Sequence, residues 1–577
     1  LKRRRRGRRL PPRVHPGGVT FSYTGRDGVS RRTSIHFAPH PNAIDAGQAL
    51  FHMEVAPSQS VDIQAAVSLD QIVGRGTARR STQSLADRYQ QWKEGSTQVI
   101  TSNELFNTVL DRSLTDLRVL WTKNEDTPYI AAGTPWFDTL FGRDTSLTAL
   151  QTLAIQPEIS RQALRSLAAH QGSQPDPERE EEPGKIHHEL RRGEMANCGE
   201  VPYARYYGSV DSTPLFLLLA NEYYRWTADL ELMLALEPAL RGAIQWIDRY
   251  GDLDGDGYLE YKRNSKRGLD NQGWKDSFDS MTHADGTLLK PPIAVVEVQG
   301  YVYAAKKGLA RVFSDLGDHS QAEQLWADAE RLRRRLNRDF WLKDGYYATA
   351  LDARKSPATP MSSNAGQMLW TGVPSRHQAR SLAERLMRNE MFSGWGIRTL
   401  ISNARRYNPL GYHLGTVWPH DNAIIAAGLK RYGFESELNE IATGLFDACC
   451  AFPYFRLPEL FGGDPRSGYR SPVPYPVACR PLAMAAAAMP YILTSILGLC
   501  PDAPRRRLQV VRPRLPYWLE FVRLTGLRVG EGQVDLVFQR RGKRTFVNVL
   551  ASRGPVEVVV LRRWPQDRAW TRAGAAR

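Results

Sequence analysis

From Glu104 onward the apolar residues fall at helical spacing, and this constrains the fold more than any other feature of the chain. Leu105, Val109, Leu110, Leu114, Leu117, Leu120 and Trp121 form one stripe on a 3.6-residue period. Helical patterns return at Thr145–Ile155, Pro214–Thr227, Glu237–Arg249, Val298–Leu316, Gln321–Phe340 and Arg376–Arg388. They continue at Trp418–Gly433, Glu435–Phe452 and Leu482–Gly498, with long loops rich in Gly, Pro, Trp and Asp between them. Roughly 400 residues of this kind accommodate about a dozen helices. No short consensus of the tetratricopeptide or ankyrin type repeats along the stretch. A double ring of helices is therefore expected over 104–500 rather than an open solenoid, with its long loops gathered at one end.

The flanks read differently. Residues 1–16 are basic, contain Pro11, Pro12 and Pro16, lack periodicity and are expected to be a disordered tail. Residues 17–80 alternate in short runs such as Val19-Thr20-Phe21-Ser22-Tyr23 and Leu50-Phe51-His52-Met53-Glu54-Val55, the pattern of a small or truncated β-domain. Residues 81–103 read as a linker with a helix over Ser81–Gly95. After Pro501 strands return at Leu508–Val511, Gln533–Arg541, Thr545–Leu550 and Val556–Leu561, and Arg541-Gly542-Lys543 marks a hairpin. Residues 501–577 are thus expected to form a small β appendage with a tail.

At 577 residues the chain is longer than one core usually serves. Its net charge of +16 invites polyanion readings, and Arg-rich patches occur at Lys2–Arg6, Arg333–Arg335, Arg505–Arg507 and Arg540–Arg541. No zinc-ligand spacing, RNA-binding aromatic–glycine signature or glycine-rich phosphate loop accompanies them, so no specific nucleic-acid partner is expected. Five cysteines, an odd number, argue against a disulfide framework and for a reducing, cytoplasmic compartment. No run reaches the roughly 18 apolar residues of a membrane span. The basic start lacks the apolar core of a signal peptide, and it begins at Leu1 rather than Met, which suggests a truncated start.

Chemistry is suggested first by Asn271-Gln272-Gly273-Trp274-Lys275-Asp276-Ser277-Phe278, a polar loop between apolar segments. Asp276 is crowded by an indole, and desolvation raises a carboxyl pKa in the manner of a general acid. Taken alone, it reads equally well as a helix N-cap. A second carboxylate, Glu459, lies in Arg456-Leu457-Pro458-Glu459-Leu460-Phe461, and two carboxylates with many loop aromatics suggest glycoside hydrolysis. Arg143-Asp144 can clamp vicinal hydroxyls, one donating and one accepting, although an N-cap with a surface ion pair is the simpler reading. Tyr412–Asn422 has the composition of a sugar-binding wall. Gly251–Glu260 copies half a calcium loop, but Arg263 stands where the bidentate glutamate belongs, so a tight acidic turn is favoured over a calcium site. His187-His188-Glu189 fits no defensible metal spacing. Neither a metal nor a cofactor is expected.

Together, Trp136–Asp144, Gly184–Met195, Asn271–Ser277, Val296–Tyr301, Tyr412–Asn422 and Arg456–Leu460 resemble, in order, bacterial amylo-α-1,6-glucosidase (glycogen-debranching-like) proteins. The resemblance covers roughly residues 90–500. It implies a mainly α chain: an (α/α)6 toroid of the glucoamylase clan with an N-terminal β-domain, longer in most members than here. It implies an inverting, exo-acting hydrolase of α-glucosidic linkages, plausibly the α-1,6 branches of glycogen-like glucans, with an oligosaccharide or branched α-glucan as partner. Asp276 then matches the general acid, Glu459 the base, and Arg143 and Asp144 the grip on the terminal sugar. Trp136, Trp274, Lys275, Gln299, His413 and Trp418 would line the pocket. Lys275 beside Asp276 is a tension, since a cation lowers an acid's pKa, and the lysine is expected to point to substrate or to another carboxylate. The separate transferase barrel of eukaryotic debranching enzymes has no counterpart in the sequence. Competing readings keep the fold for an α-mannoside or rhamnoside, or make the protein a non-catalytic glycan binder; oligomeric state is not legible.

Overall fold

The computed structural model describes residues 6–71, 82–123 and 127–565. The chain divides into two compact units, Leu1–Arg88 with Arg191–Ala204, and Tyr89–Leu190 with Arg205–Arg577.

The first unit is built on a four-stranded antiparallel sheet in the order Arg8–His15, Gly18–Thr24, Ser30–Ala38, Gln64–Gln71. Arg8–His15 corrects the expectation of a disordered tail over 1–16. The segment is an edge strand, where arginines stay in water and prolines cost no ladder bond on the open side. Its register shifts between Leu10 and Arg13, across Pro11-Pro12. Leu50–Val55 is strand only at Ala49–Leu50. The excursion 191–204 belongs to this unit: Glu194 accepts the Tyr23 hydroxyl at 2.6 Å and the Arg26 main-chain N–H at 2.7 Å.

In chain order the helices are α1 (Thr82–Glu94), α2 (Glu104–Leu120), α3 (Gly142–Thr152), α4 (Pro157–Ala169) and the one-turn α5 (Glu194–Asn197) of the first unit. They continue with α6 (Ser212–Thr227), α7 (Leu230–Arg249), α8 (Val296–Asp315), α9 (His319–Asp339) and α10 (Ser363–Thr371). The last are α11 (Arg376–Leu386), α12 (Pro419–Tyr432), α13 (Glu435–Ala451) and α14 (Ala483–Leu497). Packing contacts run from α3 to α6, α8, α10, α12 and α14, and α14 returns to α3. Each of these six is backed by one further helix: α4, α7, α9, α11, α13 and, behind α14, α2.

The two sets differ in sequence for a physical reason. Inner helices are covered on nearly all sides, so α14 is Ala-rich and apolar up to Thr494 and Ser495, and α12 is buried from Pro419 to Ala426. Backing helices bury one face only: α9 buries Ala322, Leu325, Ala329, Leu332 and Leu336, spaced three, four, three and four residues apart. Each such leucine contributes about 1.5–3 kcal/mol of burial. Two of these twelve helices escape the sequence pattern. α4 starts five residues after α3 ends, behind Pro157, and follows it too closely to stand out, while α10 is short and buries Asn364 and Gln367 alongside Met368 and Leu369.

The strands after α14 cluster with the helices rather than standing apart. One sheet runs Arg544–Arg553, Gly532–Arg541, Phe521–Val529, Gln98–Thr101, so the expected linker supplies its last strand. Arg541 pairs with Arg544 around Gly542, whose φ of +58° suits a residue without Cβ. A second sheet joins Leu499–Asp502, Arg507–Val511 and Glu557–Leu561.

Candidate active site

Acidic residues cluster where inner helices begin. Asp144 lies in the first turn of α3, Glu297 in that of α8 and Asp421 in that of α12, while Asp211 immediately precedes α6. Helix N-termini carry partial positive charge, which offsets part of the cost of gathering carboxylates. Gly142 opens α3 where a Cβ would lie 2.0 Å from the His187 carbonyl oxygen, so only glycine lets the chain pass and present Arg143-Asp144.

Arg143 is the hub. Its Nη1 donates to Asp211 at 3.1 Å, its Nη2 to Asp276 Oδ2 at 3.0 Å, and its Nε lies 3.9 Å from Asp144. Burial opposes its charge, but the three carboxylates outweigh it and hold the guanidinium protonated. Asp276 comes from the loop between α7 and α8 and caps no helix; 25% of its side chain remains exposed. Burial raises its pKa against the pull of Arg143, and burial likewise takes Asp144 to about 6.

Glu459, from the loop between α13 and α14, is buried. The Tyr412 hydroxyl donates to its Oε1, and the Cys479 main-chain N–H to its Oε2 at 2.9 Å. Burial takes its pKa to about 7; those two donors pull downward, while the charges of Asp144 and Asp276 push upward. The two carboxylates named from the sequence therefore share one electrostatic environment with Arg143 and Asp144.

An aromatic cluster separate from the main core forms the wall beside them: Trp274 and Trp418 with Leu460, flanked by Tyr412 and Tyr475. His413 stacks on Trp418 with centroids 5.1 Å apart and meets Trp274 edge-on at 5.5 Å. The Ser277 hydroxyl (2.9 Å) and main-chain N–H (3.4 Å) face His413 Nδ1. That leaves the proton on Nε2 of an imidazole kept neutral by burial. His413 Nε2 and Trp274 Nε1 are buried without a hydrogen-bond partner, and buried orphans of this kind mark places for a ligand or water. Trp136 is 54% exposed, and its Nε1 donates to Val477 O at 2.9 Å, which fixes the indole beside the loop that carries Cys479.

Two residues expected to line the pocket are used otherwise. Lys275 is buried, donates to Thr399 O at 2.6 Å and lies 5.0 Å from the Trp274 ring centroid. Burial lowers its pKa to about 8, and the buried carboxylates of Asp421 and Glu297 support its charge. It thus points away from Asp276, which resolves the tension of two adjacent opposite charges. Gln299 spends its amide on the main chain of Leu259 (2.9 Å and 2.6 Å) and on Val295 O (3.2 Å). Sequence reasoning missed Asp211 and the role of the Tyr412 hydroxyl. An Asp directly before an apolar helix was the available signal for the first; none pointed to the second.

The acidic turn is a finding of its own. Carboxylate oxygens of Asp252, Asp254 and Glu260 lie within 4.8 Å of one another, the one such group among the described residues. Lys355 bonds Asp254 at 2.8 Å, Asp256 at 2.7 Å and also Glu260, so an ammonium of the chain itself serves as the loop's cation. Among the described residues no helix is long and apolar enough to cross a membrane.

Residues 1–66 match the N-terminal domain of some glycogen debranching enzymes. No curated protein matches the sequence. Among solved structures, a sialidase aligns with TM-score 0.58 at 11% identity, covering 94% of this chain and 52% of that one. The GH78 family rhamnosidase of Bacillus sp. GL1 aligns with TM-score 0.57 at 13% identity, covering 96% and 54%. The chain thus spans about half the length of these two relatives in fold. The GH63 mannosylglycerate hydrolase of Thermus thermophilus aligns with TM-score 0.48 at 15% identity over 66% of this chain and 99% of that one. By the match of residues 119–453 to a glycoside hydrolase domain, the resemblance seen in the sequence holds at the level of glycoside hydrolases, without singling out amylo-α-1,6-glucosidases. Residues 119–453, more than half of the sequence, match one family directly, and the chain belongs to it: the mannosylglycerate hydrolase MGH1-like glycoside hydrolase domain family.

Proposed function

We propose that the protein is an inverting, exo-acting α-glycosidase whose helices form an (α/α)6 toroid, with Asp276 as general acid and Glu459 as general base. The observation that carries this reading is that Glu459, buried and held by Tyr412 and the Cys479 N–H, feels the charge of Asp276, which Arg143 binds, beside an aromatic wall. Inversion needs one protonated and one ionised carboxyl about 6.5–9.5 Å apart, with water between base and anomeric carbon. Tyr412 and the Cys479 N–H both donate to Glu459, and an N–H can only donate, so this carboxyl is arranged to accept. Asp276 offers one oxygen to Arg143 and is the more open of the two, as suits contact with a glycosidic oxygen. His413 Nε2 and Trp274 Nε1 supply unspent donors for sugar hydroxyls, and Trp136 an open stacking face.

For the sugar, the debranching-type N-terminal match favours an α-glucosidic bond, that of an α-1,6 branch. The mannosylglycerate hydrolase-like family match favours an α-mannoside as the second reading. Proton NMR of the anomeric signals, with isomaltose, panose, limit dextrin and mannosylglycerate as donors, decides among them. Early release of the β-anomer from an α-linked donor is expected. Early α-anomer overturns the inverting mechanism, and silence on every donor overturns the assigned substrates. Asp276→Asn and Glu459→Gln should each lose several orders of magnitude in kcat. A glycosyl fluoride, whose leaving group needs no proton, should still be turned over by Asp276→Asn but not by Glu459→Gln. The opposite result exchanges the two roles.

A further inference from the structure

Asp211 stands at the N-cap of α6, where an aspartate ordinarily accepts a main-chain N–H of the first helical turn. Here it makes no such bond. The Ser209 hydroxyl oxygen instead takes one of the free N–H groups at that end, that of Ser212, at 3.2 Å. Both Asp211 oxygens face Arg143 Nη1, Oδ2 at 3.1 Å and Oδ1 at 3.4 Å, and Oδ1 also accepts the Ser209 hydroxyl at 2.6 Å. Ser209, Asp211 and Ser212 are wholly buried. A serine or asparagine would cap a helix equally well, whereas a buried carboxylate is costly unless a cation meets it. The carboxylate is thus placed for Arg143 rather than for the helix.

The other side of Arg143 meets the acid loop. Its Nη2 donates to Asp276 Oδ2 at 3.0 Å, and the Val210 N–H donates to Gln272 O at 2.8 Å. Residues 209–212 therefore grip that loop directly as well as through the guanidinium. A guanidinium is a rigid planar fork, so fixing one Nη fixes the direction of the other. An N–H can only donate, which makes Asp276 Oδ2 an acceptor and leaves Oδ1 for a proton on this carboxyl. Asp211 also offsets the charge of Arg143, which unopposed would favour the ionised form of Asp276.

We propose that Asp211 is a positioning residue of the reaction: with Ser209 it anchors the Arg143 fork, which holds Asp276 Oδ2 and leaves Oδ1 to protonate the leaving group. The proposal rests on the reading of Asp276 as general acid. As water activated by Glu459 attacks the anomeric carbon, the glycosidic C–O bond breaks. Its electron pair stays with the leaving oxygen, which takes the Oδ1 proton, and Arg143 remains on the resulting carboxylate.

The test compares kcat on isomaltose, whose leaving sugar needs a proton, with kcat on α-glucosyl fluoride, whose leaving group needs none. Mannosylglycerate and α-mannosyl fluoride take their place if the sugar is mannose. Asp211→Asn should lose about tenfold to a hundredfold on the first donor, the effect of one lost charged contact, and less than about threefold on the fluoride. A change of structure alone would lower both alike, so equal losses, or no loss on the first donor, overturn the proposal. Asp276→Asn is run alongside. Loss on both donors there overturns the acid assignment and the proposal with it; loss on the first alone keeps that assignment, and a failure of Asp211→Asn then falls on the proposal only. Because breaking a buried ion pair on one side is strongly destabilising, Arg143→Met and Arg143→Met/Asp211→Asn complete the comparison. With the arginine gone Asp211 has nothing to hold, and the two should turn over isomaltose within about threefold of each other. A further loss of about tenfold in the double variant overturns the proposal.

Discussion

Replacing Tyr412 by Phe removes one hydroxyl and keeps the ring that packs 5.0 Å from Trp418 and 5.7 Å from Tyr475. What is lost is a donor to Glu459, whose pKa burial has taken to about 7 and which that hydroxyl draws downward. A hydrogen bond to a charged group contributes about 1.5–3 kcal/mol, and one pKa unit corresponds to about 1.4 kcal/mol. The variant's Glu459 should therefore titrate about one to two units higher. If Glu459 is the base, it acts only when ionised, so activity rises as pH climbs through its pKa. The acid limb of kcat/KM should move from near 7 to about 8–9, and activity at pH 7 should fall about fivefold to fiftyfold. Above that limb, activity should recover toward the parent enzyme's. The assay is a pH profile of kcat/KM for both proteins on the preferred donor. A uniform loss at every pH would refute the argument, because it would mean that the hydroxyl does not act through the ionisation of Glu459. Movement of the alkaline limb instead would make Glu459 the acid.

Three further outcomes follow from the same physics. The Glu459 carboxyl titrates near 4.5 in the unfolded chain and near 7 when folded, so the fold favours the protonated form. That stabilisation is present below pH 4.5 and is lost as pH rises through about 7, at a cost of about 3 kcal/mol. Glu459→Gln, which stays neutral, should accordingly raise the melting temperature at pH 7.5 and leave it nearly unchanged at pH 4.5. Lys355→Met strips the cation from Asp254, Asp256 and Glu260 and should cost about 1–3 kcal/mol in denaturant melts at pH 7. The loss should shrink at pH 4, where Glu260, its pKa raised by burial, keeps its proton. Gly142→Ala places a methyl against the His187 carbonyl and should cost about 1–3 kcal/mol while lowering kcat, because Arg143 and Asp144 follow it directly. An unchanged melting temperature and kcat in that variant would contradict the close approach.

Much of this architecture is written in periodicity, and the exceptions have causes. The backing helix α9 shows its buried face as Ala322, Leu325, Ala329, Leu332 and Leu336, and α14 declares itself by an unbroken apolar run. α10 does neither, because a helix buried on every side can hide Asn364 and Gln367 in hydrogen bonds, and then no polar face remains to set a period. Arg8–His15 is masked by residues that suit an open edge. At the site, local sequence marks the loop of Asp276 and the turn of Arg143-Asp144, since those residues are neighbours in the chain. It cannot show that Lys275 turns toward Thr399, or that Tyr412 meets a carboxylate 47 positions later, because both depend on which loops meet in space.

The return of α14 to α3 also sets an order of events during synthesis. α3 ends at Thr152 and its neighbour α14 begins at Ala483, so one flank of the first inner helix stays uncovered until the last emerges from the ribosome. The fastening is equally remote in sequence: Ala483 N donates to Ala132 O at 2.8 Å, and Thr134 N to Pro481 O at 3.1 Å. Nascent chains must therefore spend the intervening time with an apolar flank exposed to chaperones or to one another. A stop anywhere before Ala483 leaves α3 without that neighbour, and one before Glu459 takes the carboxylate as well. Such truncated products are expected to be substrates for degradation rather than weakened enzymes.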